Sequence, residues 1–295
     1  GLPHPKTGKS ELESADLPNL DTLVTQSATG LTTPVAPGIS PGSGPGHTAL
    51  FGYDPIRYLI GRGVLEALGL GIELGSKDIA IRCNFCTVDD NGTIVDRRAG
   101  RISDIKSSSL VHKLKNIQIP RINLSLFPGK GHRFVLVLSG NGLGANVTDT
   151  DPAGTGLSPL KATTLKTGSE ITAKTANIFV EAAAGLLADE PNANMVLLRG
   201  FSRVPTWPQM HDVYSLNPAA IAAYPMYRGL AKLIGMEILS AGDNFENELA
   251  TLEKNFESHD FFFLHYKPAD TAGEDGDFGA KVEALEALDS YIPRI

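Results

Sequence analysis

The sequence contains few of the residues that mark extracellular, membrane-spanning or nucleic-acid-binding proteins. Its 295 residues include only two cysteines, too few for a disulfide framework, so a reducing cytoplasm is the expected location. No apolar run approaches the ~20 residues that a membrane span needs, and no signal-peptide pattern opens the chain. Positive charge is not in excess, because 26 lysines and arginines stand against 33 aspartates and glutamates. A general nucleic-acid or anionic-membrane binder is therefore not expected.

The composition is that of a folded protein with a sizeable core. Hydrophobic residues make up 42% of the chain and charged residues 20%, which excludes disorder as the main state. The length allows one large domain or two. A net charge of −7 is still compatible with an anionic small substrate, because a few clustered arginines can form a local site.

The distribution of helix and strand patterns predicts a nested α/β architecture. Helices and buried strands at both ends form one α/β core, and the hairpin-rich middle forms an inserted α+β domain. We place the core in residues 1–73 and 214–295 and the inserted domain in 74–213, with hinges near 70–76 and 213.

The individual elements follow from apolar periodicity and from turn residues. The segment 34–47 is too rich in proline and glycine to be a helix or a central strand. Predicted helices cover 54–68, 169–188, 218–236 and 281–291. The second should bury Ile171, Ile178, Phe179, Ala182 and Leu186, with Thr175 as the one polar residue on that face. Predicted strands cover 79–85, 93–96, 119–127, 134–138, 195–198 and 261–264, with a hairpin turn at 90–93.

A serine flanked by glycines is the first candidate site. In Gly42-Ser43-Gly44-Pro45-Gly46-His47, the hydroxyl of Ser43 has little steric cover, and the glycines let backbone N–H groups approach an anion. His47, four residues on, can orient a neighbouring group. The alternative is a Pro/Gly turn with a surface serine. The pattern is not G-x-S-x-G, so a hydrolase nucleophile elbow is not supported.

Arginines near predicted strands form the second candidate site. Three of them follow one strand within five residues, and guanidinium groups suit phosphate or carboxylate, although a solvated charge cluster is the alternative. Arg199 ends the apolar strand 195–198, where α/β proteins place ligand groups. The residues predicted to bind an anion here are Arg97, Arg98, Arg101, His132, Arg133 and Arg199.

An acidic segment after the strand 261–264 is the third candidate site. Asp270, Glu274, Asp275 and Asp277 should converge in a glycine-punctuated loop, where crowded carboxylates repel unless a cation neutralises them. An acidic surface loop is the alternative, and the spacing is not that of an EF-hand. Lys267, in the same segment, is predicted to bind substrate.

Cys83 and Cys86 form a single C-x-x-C pair. No second pair is present for a zinc knuckle, and the pair lies on a predicted strand instead of a helix N-terminus, so a redox motif is not expected. Two small buried thiols are the favoured interpretation.

Together these segments resemble the archaeal-type 2,3-bisphosphoglycerate-independent phosphoglycerate mutases of the alkaline phosphatase superfamily. Seven blocks occur in family order over essentially the whole chain. They are residues 12–21, 41–55 (PGSGPGHTALFGYDP), 96–101 (DRRAGR), 147–152 (VTDTDP), 197–200 (LLRG), 227–236 (YRGLAKLIGM) and 265–278 (HYKPADTAGEDGDF).

The resemblance implies an alkaline-phosphatase-like α/β core interrupted by a substrate-binding domain. It implies interconversion of 3-phosphoglycerate and 2-phosphoglycerate through a phosphoserine enzyme with two divalent metal ions. Ser43 matches the nucleophile, which also binds metal, and His47 matches its partner. Asp270 matches a metal-ligand aspartate, and Glu274 stands where many members have a histidine, which favours Mg²⁺ or Mn²⁺ over Zn²⁺. The expected partner is a small-molecule phosphoglycerate, and the oligomeric state is left open.

Further metal ligands of the family have no counterpart in this sequence. They precede the Gly1 loop and follow Ile295, so we expect this chain alone to be unable to assemble both metal sites and to be inactive. Two alternatives to the mutase remain: a metal-dependent phosphohydrolase of the same superfamily, and a catalytically impaired protein that binds a phosphorylated ligand.

Overall fold

A computed structural model describes residues 3–39, 41–242 and 244–295 of the protein. The helices are α1 (Glu11–Ser14), α2 (Pro18–Thr25), α3 (Ser43–Leu50), α4 (Arg62–Gly69), α5 (Asp104–Leu114), α6 (Glu170–Leu187), α7 (Met210–Tyr214), α8 (Pro225–Leu233), α9 (Phe245–Asn255), α10 (Pro268–Asp275) and α11 (Phe278–Tyr291). The strands are β1 (Ile79–Val88), β2 (Ile94–Asp96), β3 (Asn123–Pro128), β4 (Arg133–Ser139), β5 (Met195–Ser202), β6 (Pro218–Ala222), β7 (Glu237–Ile238) and β8 (Phe261–His265).

These elements fall into two compact units. The central unit comprises residues 41–207 and 225–233, and the terminal unit comprises the described residues of 1–40, 208–224 and 234–295. Residues 41–73 thus group with the middle of the chain, whereas the sequence analysis grouped them with its ends. The domain division at 73/74 and 213/214 stays a prediction.

The central unit is built on a five-stranded antiparallel sheet. Strands are ordered β2-β1-β4-β3, and β5 also pairs with β1. The predicted hairpin turn joins β1 to β2, where the N–H of Asp89 donates to the carbonyl oxygen of Thr93. The predicted strands of the middle segment are therefore confirmed, with β3 beginning four residues later than expected.

Helices cover both faces of this sheet. On one face, α5 and α6 bury the main core, which includes Phe85, Phe134 and Phe179. On the other face, α4 packs Val64 and Ala67 against Ala80 of β1 and the valines of β4. Helix α4 also packs against α8. The central strand β1 is therefore buried on both sides over most of its length.

The terminal unit contains a three-stranded parallel sheet in the order β7-β6-β8. Helix α9 packs Leu249 and Leu252 against Ile221 of β6. Helix α11 packs against α10 and against α1. A parallel sheet in one unit and an antiparallel sheet in the other confirm the mixed α/β class.

The helix predicted over residues 54–68 starts later than the sequence pattern indicated, so its predicted start was wrong. It begins at Arg62, although Asp54 does cap a turn by accepting the N–H of Ile56 at 2.9 Å. The chain remains extended at Gly61, where a Cβ would lie only 2.6 Å from the Cβ of Ser202. Tight packing against β5 therefore delays the helix.

The Pro/Gly-rich segment 34–47 ends in a helix that the sequence analysis excluded. Helix α3 begins at Ser43 and contains Pro45 as its third residue. Proline is compatible with the first turn of a helix, because the N–H groups there have no partner within the helix. The exclusion was therefore wrong for residues 43–47.

The helix predicted over residues 218–236 is a strand followed by a shorter helix. Pro218–Ala222 forms β6, and only Pro225–Leu233 is helical. The alanine-rich run favours a helix by propensity, but β6 is fully buried between β7 and β8. Burial on both faces of a parallel sheet outweighs that local preference.

Helix α6 is placed as predicted, but its buried face differs from the predicted one. Phe179 and Thr175 are buried as predicted, but Ile171 and Ile178 are 46% and 39% exposed, and Thr172 and Ala176 are buried instead. Small side chains on the inner face allow the helix to lie close to the sheet.

No helix in the described part of the chain is long and apolar enough to cross a membrane.

Candidate active site

Ser43 is the first residue of α3, in the central unit. Gly42 precedes it in extended conformation and offers no side chain to cap the helix. The N–H groups of the first helical turn have no partner within the helix and lie at the positive end of its dipole. Ser43 is half-buried. Its hydroxyl is therefore carried by a segment that favours a bound anion.

His47 lies one helical turn after Ser43 and binds its main chain. The Nδ1 atom of His47 is 2.7 Å from the carbonyl oxygen of Ser43. The imidazole ring stacks on Tyr227 of α8, with centroids 4.5 Å apart and planes at 28°. The ring is thus held from two sides.

Arg97 and Arg199 meet at the buried carboxylate of Asp151. Arg97 donates to both carboxylate oxygens, at 3.1 and 2.7 Å, and Arg199 Nη1 lies 3.2 Å from Oδ2. Burial acts to raise the pKa of Asp151, but the hydrogen bonds from Arg97 and from the Ala153 N–H, with the charge of Arg199, hold that pKa below its usual range. Asp151 was not among the predicted site residues.

The other arginines of the 96–101 motif do not join this network. Arg98 and Arg101 are both exposed, and the arginines that lower the pKa of Asp151 are Arg97 and Arg199. The motif is closed by Asp96, whose carboxylate accepts the N–H of Arg98 at 2.7 Å and of Gly100 at 2.5 Å. The structure therefore brings Arg97 and Arg199 together but leaves Arg98 and Arg101 outside the pair.

Arg199 does not end its strand. Strand β5 continues to Ser202, and Arg199 lies opposite Arg82 of β1 in an antiparallel pair. The rule that ligands gather at strand ends applies to parallel sheets, so that reasoning was wrong for Arg199. The feature that singles it out is the bulge that follows, where Gly200 has φ +63°.

His132 and Arg133 lie at the start of β4. Burial, followed by the positive charges of Arg133, Arg82 and Arg98, lowers the pKa of His132 to about 4. His132 is therefore neutral at physiological pH and can only act through neutral hydrogen bonds. Arg133 faces Asn84 of β1.

Arg82 and Asn84 are buried polar residues that the sequence analysis did not single out. They are only 9% and 6% exposed, in the middle of a strand that is otherwise apolar. A charged and an amide side chain at alternate positions of a buried strand were the available signal, because such groups are seldom buried unless they are paired.

The acidic segment is a helix, contrary to the predicted loop. Helix α10 ends at Gly276, which has φ +72°. Asp270 and Glu274 lie one turn apart, and Lys267 contacts both, at 3.9 Å in the case of Glu274. Asp277 instead caps α11 by accepting the N–H of Ala280. The four carboxylates therefore do not converge.

Asp275 lines a different cavity from the Asp270 and Glu274 pair. This cavity of the terminal unit has a volume of about 680 Å³ and includes Glu248 and Lys267 in its walls. Glu248 is 3% exposed, and burial raises its pKa to about 7 against the opposing hydrogen bond from Ala223. Asp270 and Glu274 line a second cavity with His4.

The donors on α10 fit a divalent cation in type but not in number. Two carboxylates supply the oxygen ligands that Mg²⁺ and Mn²⁺ prefer. Lys267 occupies them as a cation, which shows that this pair attracts positive charge. Among residues 3–39, 41–242 and 244–295, no group of three His, Cys, Asp or Glu side chains is placed to hold a metal ion.

Cys83 and Cys86 are free and buried, as favoured from the sequence. Burial raises the pKa of the Cys83 thiol far above its usual range and that of Cys86 to about 12. Both thiols are therefore protonated and unreactive.

Comparison with known proteins connects these features to one family. A family model described as 2,3-bisphosphoglycerate-independent phosphoglycerate mutase matches residues 25–193. A Thermus thermophilus protein named "Probable 2,3-bisphosphoglycerate-independent phosphoglycerate mutase" is 52% identical over 301 residues, covering 100% of this chain and 74% of the relative. A Thermotoga neapolitana protein of the same name is 48% identical, covering 99% and 73%.

Comparison with solved structures leads to the same family as comparison with sequences. The cofactor-independent phosphoglycerate mutase of Thermoplasma acidophilum is 29% identical, covers 99% of this chain and 79% of its own, and has a TM-score of 0.66. A Pyrococcus horikoshii protein is 27% identical, covers 99% and 74%, and has a TM-score of 0.80. The similarity thus extends over both compact units. This chain belongs to the 2,3-bisphosphoglycerate-independent phosphoglycerate mutase family.

Proposed function

We propose that this protein interconverts 3-phosphoglycerate and 2-phosphoglycerate through a phosphoserine at Ser43. Membership of the mutase family supports the reaction. The observation that carries the assignment of Ser43 is its place as the first residue of α3, where the N–H groups of the first turn favour the phosphoryl oxygens.

Ser43 exchanges the phosphoryl group with the two glycerate oxygens in turn. In the first half, the Ser43 hydroxyl loses its proton, its oxygen bonds to phosphorus, and the bond from phosphorus to the glycerate oxygen breaks. That oxygen takes up a proton. In the second half, the other glycerate hydroxyl loses its proton and attacks the phosphoserine, and Ser43 recovers its hydroxyl. Water does not take part in either half, so it must be kept from the phosphoserine during the transfer.

His47 is assigned a positioning role. Its bond to the Ser43 carbonyl fixes the first turn of α3, so that the serine hydroxyl and the helix N–H groups keep one geometry. The stacking on Tyr227 restrains the imidazole ring.

The arginines of the central unit are assigned to the oxyanions of the substrate. Arg97 and Arg199 are held by Asp151 in a fixed orientation, which reduces the entropy lost when they bind a ligand. Arg133, Arg98 and Arg101 are assigned weaker roles, and neutral His132 can supply a hydrogen bond. Lys267 is assigned to substrate through its charge.

Asp270 and Glu274, with Ser43, are the residues that would hold the divalent ions. Mg²⁺ or Mn²⁺ suits the carboxylates of α10, and Zn²⁺ is the less favoured alternative. Such an ion, when bound, neutralises phosphoryl oxygens and stabilises the serine alkoxide. Ser43 belongs to the central unit and the two carboxylates to the terminal unit.

A coupled assay that follows the conversion of 3-phosphoglycerate, with and without Mn²⁺, tests the proposal. Wild-type protein should form 2-phosphoglycerate in a metal-dependent manner, Ser43→Ala should abolish the reaction, and Ser108→Ala on the exposed side of α5 should not. An unchanged rate in Ser43→Ala would exclude this serine as the nucleophile.

The two alternatives give different products in the same assay. Free phosphate as the main product would indicate a phosphohydrolase. Binding of phosphoglycerate without turnover and without metal dependence would indicate a ligand-binding protein. The nested domain division and the cytoplasmic location remain predictions.

A further inference from the structure

Four polar side chains form a compact patch on the α4 face of the central sheet. Strand β1 places Arg82 opposite Arg199 of β5, and two residues on it places Asn84 opposite Arg133 of β4. Alternate residues of a strand share a face, so all four lie on the same side of the sheet. On that side, Arg82 also lies opposite Val135 of β4, which packs beneath α4.

This arrangement is costly for the fold. Like charges directly opposite each other on adjacent strands destabilise a sheet, and Arg82 and Arg199 are such a pair. Arg82 is nearly buried, and its Nε lies 3.8 Å from a carboxylate oxygen of Glu66 on α4. Burying a guanidinium carries a desolvation cost in addition to that repulsion. Both arginines have counter-charges, Glu66 for Arg82 and Asp149 and Asp151 for Arg199, so the remaining cost is the desolvation of two guanidinium groups on adjacent strands. A bound oxyanion would offset that cost.

Two atoms of the patch have unused hydrogen-bonding capacity. Asn84 Oδ1 and Arg199 Nε are buried, and neither has a hydrogen-bond partner among the described groups. Asn84 as a whole is 6% exposed. One atom is an acceptor that suits a hydroxyl, and the other is a donor that suits an oxyanion.

The electrostatic environment agrees with an anion site. The ring of His132, next to Arg133, is held neutral by burial and by the surrounding arginine charges, which lower its pKa. The bulge after Arg199 turns the course of β5 at this point, and bulges of this kind often re-aim a side chain beside an active site.

We propose that Arg82 and Asn84 are substrate-binding residues, which with Arg133 and Arg199 hold one oxyanion of phosphoglycerate and its adjacent hydroxyl. The inference rests on the proposed function, because it takes phosphoglycerate as the ligand. It extends that function to two residues of β1 that the sequence analysis did not name as site residues. The guanidinium groups bind the oxyanion, and the amide of Asn84 binds the hydroxyl.

Asn84→Asp is the sharpest test, because it is isosteric and places a carboxylate among arginines. That change should leave the thermal midpoint without ligand unchanged or higher, yet repel an anionic substrate. We expect KM for 3-phosphoglycerate to rise at least tenfold, with a smaller change in kcat. A purely structural role for Asn84 would move the thermal midpoint and leave KM alone.

Arg82→Lys is the second variant, since it keeps the charge but loses the planar fork. It should also raise KM severalfold. Lys174→Gln, which removes an exposed charge from α6 in the same unit, is the control and should match wild type. Values of KM within twofold of wild type for both Asn84→Asp and Arg82→Lys would overturn the inference.

Calorimetry with D-glycerate and with inorganic phosphate separates this inference from the proposed function. Weaker binding of either probe to Asn84→Asp supports the site and shows which oxyanion it holds. Equal binding of both probes to wild type and variant overturns it. A wild-type protein that binds glycerate through Asn84 but isomerises nothing would refute the proposed reaction and leave the site standing.

Discussion

The Nδ1 atom of His47 lies 2.7 Å from the main-chain carbonyl oxygen of Ser43. A carbonyl oxygen only accepts hydrogen bonds, so Nδ1 must carry the proton. In the neutral ring, Nε2 is then the atom with the lone pair. The histidine of the Ser43 motif is therefore attached to the backbone that carries the nucleophile, which fits a positioning residue.

Replacement of His47 by asparagine or glutamine tests this role. An asparagine amide can reproduce the Nδ1 donor, whereas that of glutamine reaches farther and corresponds to Nε2. Since a hydrogen bond contributes about 1 kcal/mol, kcat should fall roughly fivefold in His47→Gln and less in His47→Asn. KM should change little in both. Equal losses in the two variants would show that the bond to Ser43 is not what matters.

Two glycines allow close packing around α4 in the central unit, Gly63 against strand β1 and Gly229 of α8 against α4 itself. A Cβ on Gly63 would lie 2.1 Å from the carbonyl oxygen of Ala80, and one on Gly229 would lie 2.0 Å from that of Leu65. Gly63→Ala and Gly229→Ala should each destabilise the protein by about 2 kcal/mol or more, because α4 would have to move. Thermal unfolding measures the change.

Gly185 provides the matched control for these substitutions. It lies within helix α6, and nothing occupies the space around its missing Cβ within 4 Å. Gly185→Ala should therefore stabilise the protein by about 0.5–1 kcal/mol through helix propensity. A loss of stability there as large as in Gly63→Ala would contradict the steric explanation.

The carboxylate of Asp151 should be more important for stability than its neighbour Asp149. Asp151→Asn leaves Arg97 and Arg199 without the buried charge between them and should cost about 2–4 kcal/mol. Asp149→Asn should cost less than about 1 kcal/mol, since that side chain is 43% exposed and 3.9 Å from Arg199 Nε. Urea unfolding at pH 7 compares the two, and similar losses would refute the distinction.

The effect of Asp151 on stability should also depend on pH. Its folded-state pKa lies below its usual range, so the unfolded chain takes up a proton at higher pH than the folded one. Stability from this group is present at neutral pH and lost as the pH falls through the depressed value. The difference between wild type and Asp151→Asn should therefore shrink in acid.

Local sequence patterns were sufficient for most strands but not for elements set by tertiary packing. The 90–93 turn and the alternating segments predicted β1, β2 and β4 because those signals are local. The register that places Arg82 opposite Arg199 joins residues far apart in the sequence, and no local pattern contains it. The delay of α4 depends likewise on a contact between Gly61 and Ser202.

The candidate site was predictable where one motif held both partners. Ser43 and His47 are four residues apart and were paired from that spacing, although the helix that brings them together had been excluded from the segment. Arg97, by contrast, is oriented by Asp151, which a separate motif supplies. The prediction that the acidic side chains converge was wrong because residues 268–275 form helix α10. Asp275 and Asp270 therefore line different cavities.

Removal and replacement of metal should distinguish the carboxylates of α10. Mn²⁺ should raise the thermal midpoint of wild-type protein, because a ligand at 100 times its Kd stabilises by about 2.7 kcal/mol. Asp270→Asn and Glu274→Gln should abolish that shift. Asp275→Asn, on the same helix, should retain it. EDTA should reverse the shift, and an unchanged shift in all three variants would place the metal elsewhere.

Lys267 competes with the metal in this scheme. Its ammonium group contacts both carboxylates of the pair. Lys267→Met should therefore increase the Mn²⁺-induced shift in thermal midpoint, even if it lowers activity by weakening substrate binding. A smaller shift than in wild type would indicate that the lysine supports the metal site.

Glu248 should make the protein less stable as the pH rises. Burial raises its folded-state pKa to about 7, whereas the carboxyl of the unfolded chain titrates near a pKa of about 4.3. Between these values the folded state binds the extra proton, so stability falls with rising pH and levels off above about pH 7. Asn244, Lys267, Asp275 and Asp277 line the cavity with it.

Glu248→Gln removes this titration while keeping an oxygen that can accept the N–H of Ala223. The gain in stability over wild type should be about 2 kcal/mol larger at pH 8 than at pH 5. Glu257→Gln, which removes an exposed carboxylate just after α9, should show no such difference. Thermal unfolding at the two pH values measures this difference. A gain in stability that is independent of pH would mean that Glu248 is ionised in the folded protein throughout that range.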